Sequence, residues 1–270
     1  MRRFYQESWQ GIPFTAFSHI SFFHLAEPKF YANFYEELFK RYQSWDSLPA
    51  KWRENKTKDA QWLAMQIKEL QENCPDRNIR VLSIGSGVGF MEKMLLEICP
   101  GLELHVNEPS TVGMKWIRKI IPPNRIYIGM PTVCIPADIS FDLIYLSAVD
   151  YGIPARELAR LLELLKAQLV PGGEIICISA SLLEEDSFIG ALVNGMKIVI
   201  RGILHYAGIR RQQFWGWRRT QKEYRRLFSQ AGLRDIADGT LDDGFDSYWI
   251  RGVPAPKSGQ ETDSQAQKTP

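Results

Sequence analysis

Three glycines stand at every second position in the run Val81-Leu82-Ser83-Ile84-Gly85-Ser86-Gly87-Val88-Gly89, behind an apolar stretch of strand type and ahead of a helical pattern carrying Met91, Met94, Leu95 and Ile98. A strand that ends in side-chain-free turns and then opens a helix lets a ligand lie against bare backbone. The free N–H groups at the helix start favour a polar or negatively charged group there. Nineteen residues after Gly89, Glu108 closes the next strand-like run, where a carboxylate can accept from both hydroxyls of a ribose. Asp150 and Tyr151 follow the strand-like run 141–146, at the edge where open α/β sheets bind ligands. His205, whose side chain titrates near neutrality, lies in a later insertion. These three are the candidates to meet a substrate or to take its proton. The competing readings are a turn aspartate capping the helix near Pro154, for Asp150, and a partly buried structural histidine, for His205; His19 and His24 are lesser candidates.

The elements that must position these residues show as an alternation. Residues 81–84, 102–106, 126–130, 141–146 and 174–180 read as short apolar strands, with helices between them, one starting at Ser110 and one carrying Leu158, Leu161, Leu162, Leu165 and Leu169. Such alternation implies right-handed crossovers and a parallel, doubly wound sheet. Thr220 and Glu223 form a capping box for a helix with Tyr224, Leu227, Phe228 and Ala231, stopped by Gly232. Two last strand-like runs are 234–237 and 247–250. The first 75 residues read as helices rather than strands: Phe30, Tyr31, Phe34, Tyr35, Leu38, Phe39 and Tyr42 recur at helical spacing, as do Leu63, Ile67 and Leu70. That segment is either a packed cap or a lid whose aromatic side chains also wall a pocket.

The glycine spacing separates two nucleotide chemistries. A dinucleotide fingerprint, G-x-G-x-x-G, needs its third glycine at position 90, where Phe90 stands. G-x-G-x-G is instead the pattern of S-adenosylmethionine-dependent methyltransferases. With Glu108, Phe141-Asp142-Leu143-Ile144 and Pro171-Gly172-Gly173 in the same order, residues 57–252 resemble the class I methyltransferase family. The resemblance implies an α/β fold: a doubly wound, mainly parallel seven-stranded sheet whose last strand is antiparallel, with an N-terminal helical cap and a helical insertion after the fifth strand. It implies S-adenosyl-L-methionine as cofactor, with Gly85, Ser86, Gly87 and Gly89 on its methionine part, Glu108 and the adjoining Pro109 at the ribose, Met130 and Pro131 at the adenine and Ser147 beside the sulfonium. Two positions depart from the family pattern: Ser83 stands where Asp or Glu is usual, and Met130 where Asp is usual. Ser83 would reach the cofactor ammonium through water and Met130 would pack on the purine face. Leu82-Ser83-Ile84-Gly85 with Glu108-Pro109-Ser110 is also similar to small-amine methyltransferases related to the histamine enzyme. The activity implied is methyl transfer to an oxygen or nitrogen of a small organic acceptor. A catalytically silent member that only binds the cofactor, and a nucleotide-dependent oxidoreductase on the same sheet architecture, are the alternatives.

Composition narrows the partners. Thirty-three Lys and Arg against thirty-one Asp and Glu give a net charge of +2, with no long basic stripe to track phosphates, so nucleic acid is not an expected partner. Cys74, Cys99, Cys134 and Cys177 are widely spaced without a CxxC or nearby His ligands, which suggests neither disulfides nor a metal and fits a cytoplasmic location. The apolar stretch 12–26 is broken by His19 and His24, so a signal peptide is not expected. The apolar segment 188–206 is interrupted by Asn194, Lys197 and Arg201; it reads as a pocket-covering helix, with contact to a membrane surface as the alternative, and not as a span. Phe214-Trp215-Gly216-Trp217-Arg218-Arg219 reads as a packed loop, or as an aromatic wall in which Arg218 or Arg219 binds an acidic substrate. The division expected is a cap (1–75), a cofactor-binding domain (76–252) with a covering insertion (181–219), and a disordered tail (253–270). The aromatic covering elements suit a small, partly apolar acceptor.

Overall fold

The computed structural model describes residues 2–6, 8–9, 12–13, 28–180, 182–183, 192–193, 195–197, 199–200, 203–204, 207, 213–243 and 247–255. Its elements run β1 (Arg2–Gln6), β2 (Ser8–Trp9), β3 (Ile12–Pro13), α1 (Pro28–Arg41), α2 (Ala50–Asn73), β4 (Arg80–Ile84), α3 (Phe90–Ile98), β5 (Glu103–Glu108), α4 (Met114–Ile117), β6 (Ile126–Ile128), α5 (Pro131–Cys134), β7 (Phe141–Ser147), α6 (Ala155–Lys166), β8 (Leu169–Ser179), β9 (Gln213–Arg218), α7 (Gln221–Gln230), β10 (Leu233–Thr240) and β11 (Tyr248–Pro254).

Seven strands form one sheet in the order β10-β11-β8-β7-β4-β5-β6. β4 pairs in parallel with β5 and β7, β5 with β6, and β7 with β8, whereas β11 runs antiparallel to both β8 and β10. From β4 the chain builds outward through β5 and β6, then crosses back to lay β7 on the other side. The carboxyl ends of β4 and β7 therefore flank a switch point, the place where such sheets leave a crevice for a ligand.

Both faces of the sheet are covered, which is why its central strands are apolar throughout. Ala60, Leu63 and Ile67 of α2 and Leu95 of α3 pack with Val81, Leu143, Tyr145 and Ile176 on one face. Leu158, Leu162 and Leu165 of α6 and Tyr224 and Phe228 of α7 pack with Leu82, Ile144, Ile175 and Ile250 on the other. A third, aromatic cluster joins Phe34, Tyr35 and Phe39 of α1 to Phe90, Trp116 and Trp217.

Three local expectations change. The helix expected from Ser110 shrinks to the single turn of α4, because the β-branched Thr111 and Val112 and then Gly113 precede it. Pro171-Gly172-Gly173 does not lead into the fifth strand but lies inside β8. Pairing jumps from Phe141↔Leu169 to Leu143↔Glu174, and Gly172, at φ +81°, carries the irregularity. The N-terminal segment is not all helical, since β1 pairs antiparallel with β9, from Arg2↔Arg218 to Gln6↔Gln213, which also makes 213–218 a strand rather than a loop. Five residues are too few to display a period, and the partner strand is supplied from the far end of the chain. The tail after residue 255, and His19, His24 and His205, lie outside the described residues.

Candidate functional site

The glycine turn is tied to the neighbouring strand before it reaches any ligand: the N–H groups of Gly85 and Ser86 both donate to the Asn107 carbonyl, at 2.9 and 3.1 Å. A side chain at Gly85 would strike Val149, and one at Gly89 would strike Ile117. Gly87 differs. Its φ is +61°, and a Cβ there would meet nothing closer than the Tyr35 hydroxyl at 3.6 Å, so the side it leaves open faces a cavity rather than the core.

That cavity, about 710 Å³ in volume, is lined by Gly85, Ser86 and Gly87 after β4, Asn107, Glu108 and Pro109 at the end of β5, Met130 and Pro131 after β6, Ser147 at the end of β7 and Tyr151 after it. All ten cofactor-contact residues expected from the sequence except Gly89 line it, Ser83 included. Phe34, Tyr35, Trp52 and Lys56 close it from the N-terminal helices, so the aromatic segment is a wall of the cavity as well as a cap.

Glu108 is buried. Its carboxylate accepts from Gly87 N at 2.9 Å and Ser110 N at 3.1 Å. Burial pushes its pKa up to about 7, outweighing the two amide donors and a hydrogen bond from Tyr35, which pull the other way.

The sequence reading missed Glu92. It sits in the first turn of α3, where the carboxylate lies over Ser83: Ser83 Oγ donates to Glu92 Oε1 at 2.6 Å and Tyr145 OH donates to the same oxygen at 2.7 Å. Oε2 is buried and has no hydrogen-bond partner among the described residues, and burial raises the pKa of the group. An acidic residue thus stands beside the position where the first strand lacks one. Its sequence signal was an acid three residues past the last glycine, on the helix face that turns back to the strand.

Lys56 was also missed, since nothing local distinguishes it from the other lysines of α2. It is buried, with Nζ 2.5 Å from Asp59 Oδ2 and 3.3 Å from Ser147 Oγ. Burial and the neighbouring Asp243 hold Asp59 up at about 7 against the pull of Lys56. Lys56, Ser83, Glu92 and Ser147 all line the same end of the cavity, placing a cation and a carboxyl group there side by side.

Of the acceptor-facing candidates, Tyr151 lines the cavity and Asp150 does not. Asp150 is wholly buried. It accepts from Ser179 Oγ at 2.8 Å and from Tyr224 OH, and pairs with Arg219 at 3.8 Å. Arg219 in turn donates to the Asp150 carbonyl at 2.8 Å and to the Ile153 carbonyl. This cluster corrects two expectations. Asp150 anchors the turn after β7 instead of projecting to an acceptor, and Arg219 pins the same turn instead of binding an acidic substrate. Arg218, the next residue back, does line the cavity.

No protein-family model and no curated protein matches this chain. Solved structures do. It is similar to an O-methyltransferase assignment from Nostoc punctiforme (15% identity, 88% of this chain and 64% of that one, TM-score 0.55). It is similar to human N-acetylserotonin methyltransferase, solved with S-adenosylmethionine (19%, 83% and 56%, 0.51). A third is the magnesium protoporphyrin IX methyltransferase of Synechocystis, solved with S-adenosylhomocysteine (13%, 73% and 84%, 0.51). The chain spans about half the length of several structures that it matches, 54%, 49%, 49% and 56% of the first four. Strand order, the antiparallel last strand and these likenesses agree that the chain has the class I methyltransferase fold.

Proposed function

We propose that the protein is an S-adenosylmethionine-dependent methyltransferase acting on an oxygen or nitrogen of a small, partly apolar organic molecule. One observation carries this reading: the open side of Gly87 and the buried carboxylate of Glu108 face a single cavity at the switch point of a methyltransferase fold. At about 710 Å³ it falls in the range of small-molecule sites.

The residues present fit the cofactor. Glu108 would accept from the ribose hydroxyls, Met130 and Pro131 would pack on the adenine, and the glycine turn would carry the methionine part. Lys56 would meet the α-carboxylate and Glu92, through its unpartnered oxygen, the α-ammonium, with Ser83 orienting it. When bound, S-adenosylmethionine supplies a methyl group activated by positive sulfur. The chain's own work is to align the acceptor and exclude water. Phe34, Tyr35, Trp52 and Phe90 supply the apolar walls. Of the sequence candidates to meet the acceptor, Tyr151 lines the cavity, and its hydroxyl would orient a hydroxyl acceptor by a hydrogen bond. His205, the other sequence candidate, lies outside the described residues. The likeness to one structure named as an O-methyltransferase favours oxygen over nitrogen.

The test is calorimetric titration with S-adenosylhomocysteine and with NAD, followed by a radiolabelled methyl-transfer screen over phenols, hydroxy acids, amines, peptides and RNA. Binding of the first ligand and labelling of a small molecule support the reading. Binding of NAD alone, or labelling of RNA alone, overturns it.

A further inference from the structure

We infer, on the function proposed above, that Asp59 and Asp243 share one proton and together position Lys56 to hold the α-carboxylate of the cofactor. Both aspartates are wholly buried, Asp59 on α2 and Asp243 between β10 and β11. Neither lines the cavity, whereas Lys56 does. The cavity therefore meets the ammonium, and the acids stand behind it.

Asp59 Oδ2 lies 2.5 Å from Lys56 Nζ, which in turn lies 3.3 Å from Ser147 Oγ at the end of β7. Asp59 Oδ1 is buried and meets no hydrogen-bond donor among the described residues. What stands at hydrogen-bond distance from the Asp59 carboxyl is the carboxyl of Asp243, whose own Oδ1 accepts from Ser247 N at 3.2 Å. Ionised carboxylates only accept, so the contact is favourable with a proton between them and repulsive without one.

Charge gives the same count. Lys56 with two ionised aspartates would form a buried, net negative group behind the place where a carboxylate has to bind. With both aspartates protonated, Lys56 would be buried without a counter-charge and would lose its own proton. One shared proton leaves the three side chains neutral in sum, with the positive end toward the cavity. Burial and Asp243 raise the Asp59 pKa to about 7 against the pull of Lys56, so the pair keeps its proton up to neutral pH. Lys56 from the same helix and Asp243 from the facing chain are the charged groups that act on Asp59 among the described residues.

The test is calorimetric titration of the full chain, as parent, Asp59→Asn, Asp243→Asn and Lys56→Gln, with S-adenosylhomocysteine and with methylthioadenosine, which lacks the carboxylate. Asp243→Asn puts an amide N–H in place of the shared proton and leaves the charge on Asp59, so S-adenosylhomocysteine affinity should stay within about twofold of the parent. Asp59→Asn moves the charge away from Lys56 to Asp243 and should lower that affinity about tenfold. Methylthioadenosine should bind both variants as it binds the parent. In a Lys56→Gln background Asp59→Asn should cost nothing further, because it acts through Lys56. Carbon-13 NMR gives a readout without any ligand: the Asp59 carboxyl should titrate near pH 7 in the parent and below that in Asp243→Asn.

Parent-like S-adenosylhomocysteine binding by Asp59→Asn, equal losses for both ligands, or the same loss with and without Lys56 overturns the inference. So does an Asp59 carboxyl that titrates alike in the parent and in Asp243→Asn. A parent that binds neither ligand defeats the proposed function as well, whereas a parent that binds both and gives any of those results defeats the positioning role alone.

Discussion

The Ser83 hydroxyl donates to the Glu92 carboxylate at 2.6 Å, linking the end of the first central strand to the helix that follows the glycine turn. The acid that the strand lacks is thereby returned from the helix, with one oxygen held by Ser83 and Tyr145 and the other without a hydrogen-bond partner among the described residues. Glu92→Gln should weaken S-adenosylhomocysteine binding by about 1 to 3 kcal/mol, the range for a hydrogen bond to a charged group. Binding of methylthioadenosine, which lacks the amino-acid end, should stay the same. Equal losses for both ligands would show that Glu92 supports the fold and not the ammonium.

Glu108 sets a pH dependence whose sign can be worked out. Its pKa is about 7 in the free protein, against 4.5 for an ordinary glutamate. Because the folded value is raised, its contribution to stability is full below about 4.5 and is lost as pH rises through about 7. Ribose hydroxyls donating to the carboxylate favour its charged form, so binding releases a proton. S-adenosylhomocysteine should therefore bind about tenfold more weakly at about pH 6 than at about pH 8, and its calorimetric heat should vary with the buffer's ionisation enthalpy. A pH-independent affinity across that interval would remove Glu108 from the ribose.

Gly87→Val should abolish detectable cofactor binding. The branched side chain would enter the cavity, where a Cβ has no atom of the described residues nearer than 3.6 Å, and a φ of +61° adds roughly 1 to 2 kcal/mol of backbone strain. Thermal unfolding should show the smaller, structural part of this effect and calorimetry the larger. Normal binding by a folded Gly87→Val protein would defeat the glycine-turn assignment.

Asp150→Ala should unfold easily rather than merely turn over slowly. Removing the carboxylate leaves the Arg219 guanidinium buried without its counter-charge, a loss of about 3 to 5 kcal/mol in denaturant titration. Parent-like stability would contradict the anchoring role.

Tyr151→Phe tests the sequence candidate that lines the cavity. With a hydroxyl acceptor, turnover should fall about a hundredfold while S-adenosylhomocysteine affinity stays within about twofold. Unchanged turnover would leave proton removal to another group.

How much was legible in advance divides by the range of the interactions involved. Strand and helix alternation, the glycine turn and the acid closing β5 are local patterns of period, turn chemistry and spacing, and chain order alone then restricts the sheet to few topologies. That determined the fold class and nine of the ten residues expected from the sequence to line the cavity. Tertiary structure decided what depends on partners far apart in the chain. Lys56 resembles its solvated neighbours until α2 packs it beside Ser147, 91 positions on. Asp150 and Tyr151 are adjacent in sequence, yet Ser179, Tyr224 and Arg219 turn one into the core and leave the other in the cavity. The strand β1 exists only because β9 arrives beside it. A side chain's burial and its hydrogen-bond partners are set by packing across hundreds of residues, and no local pattern encodes them.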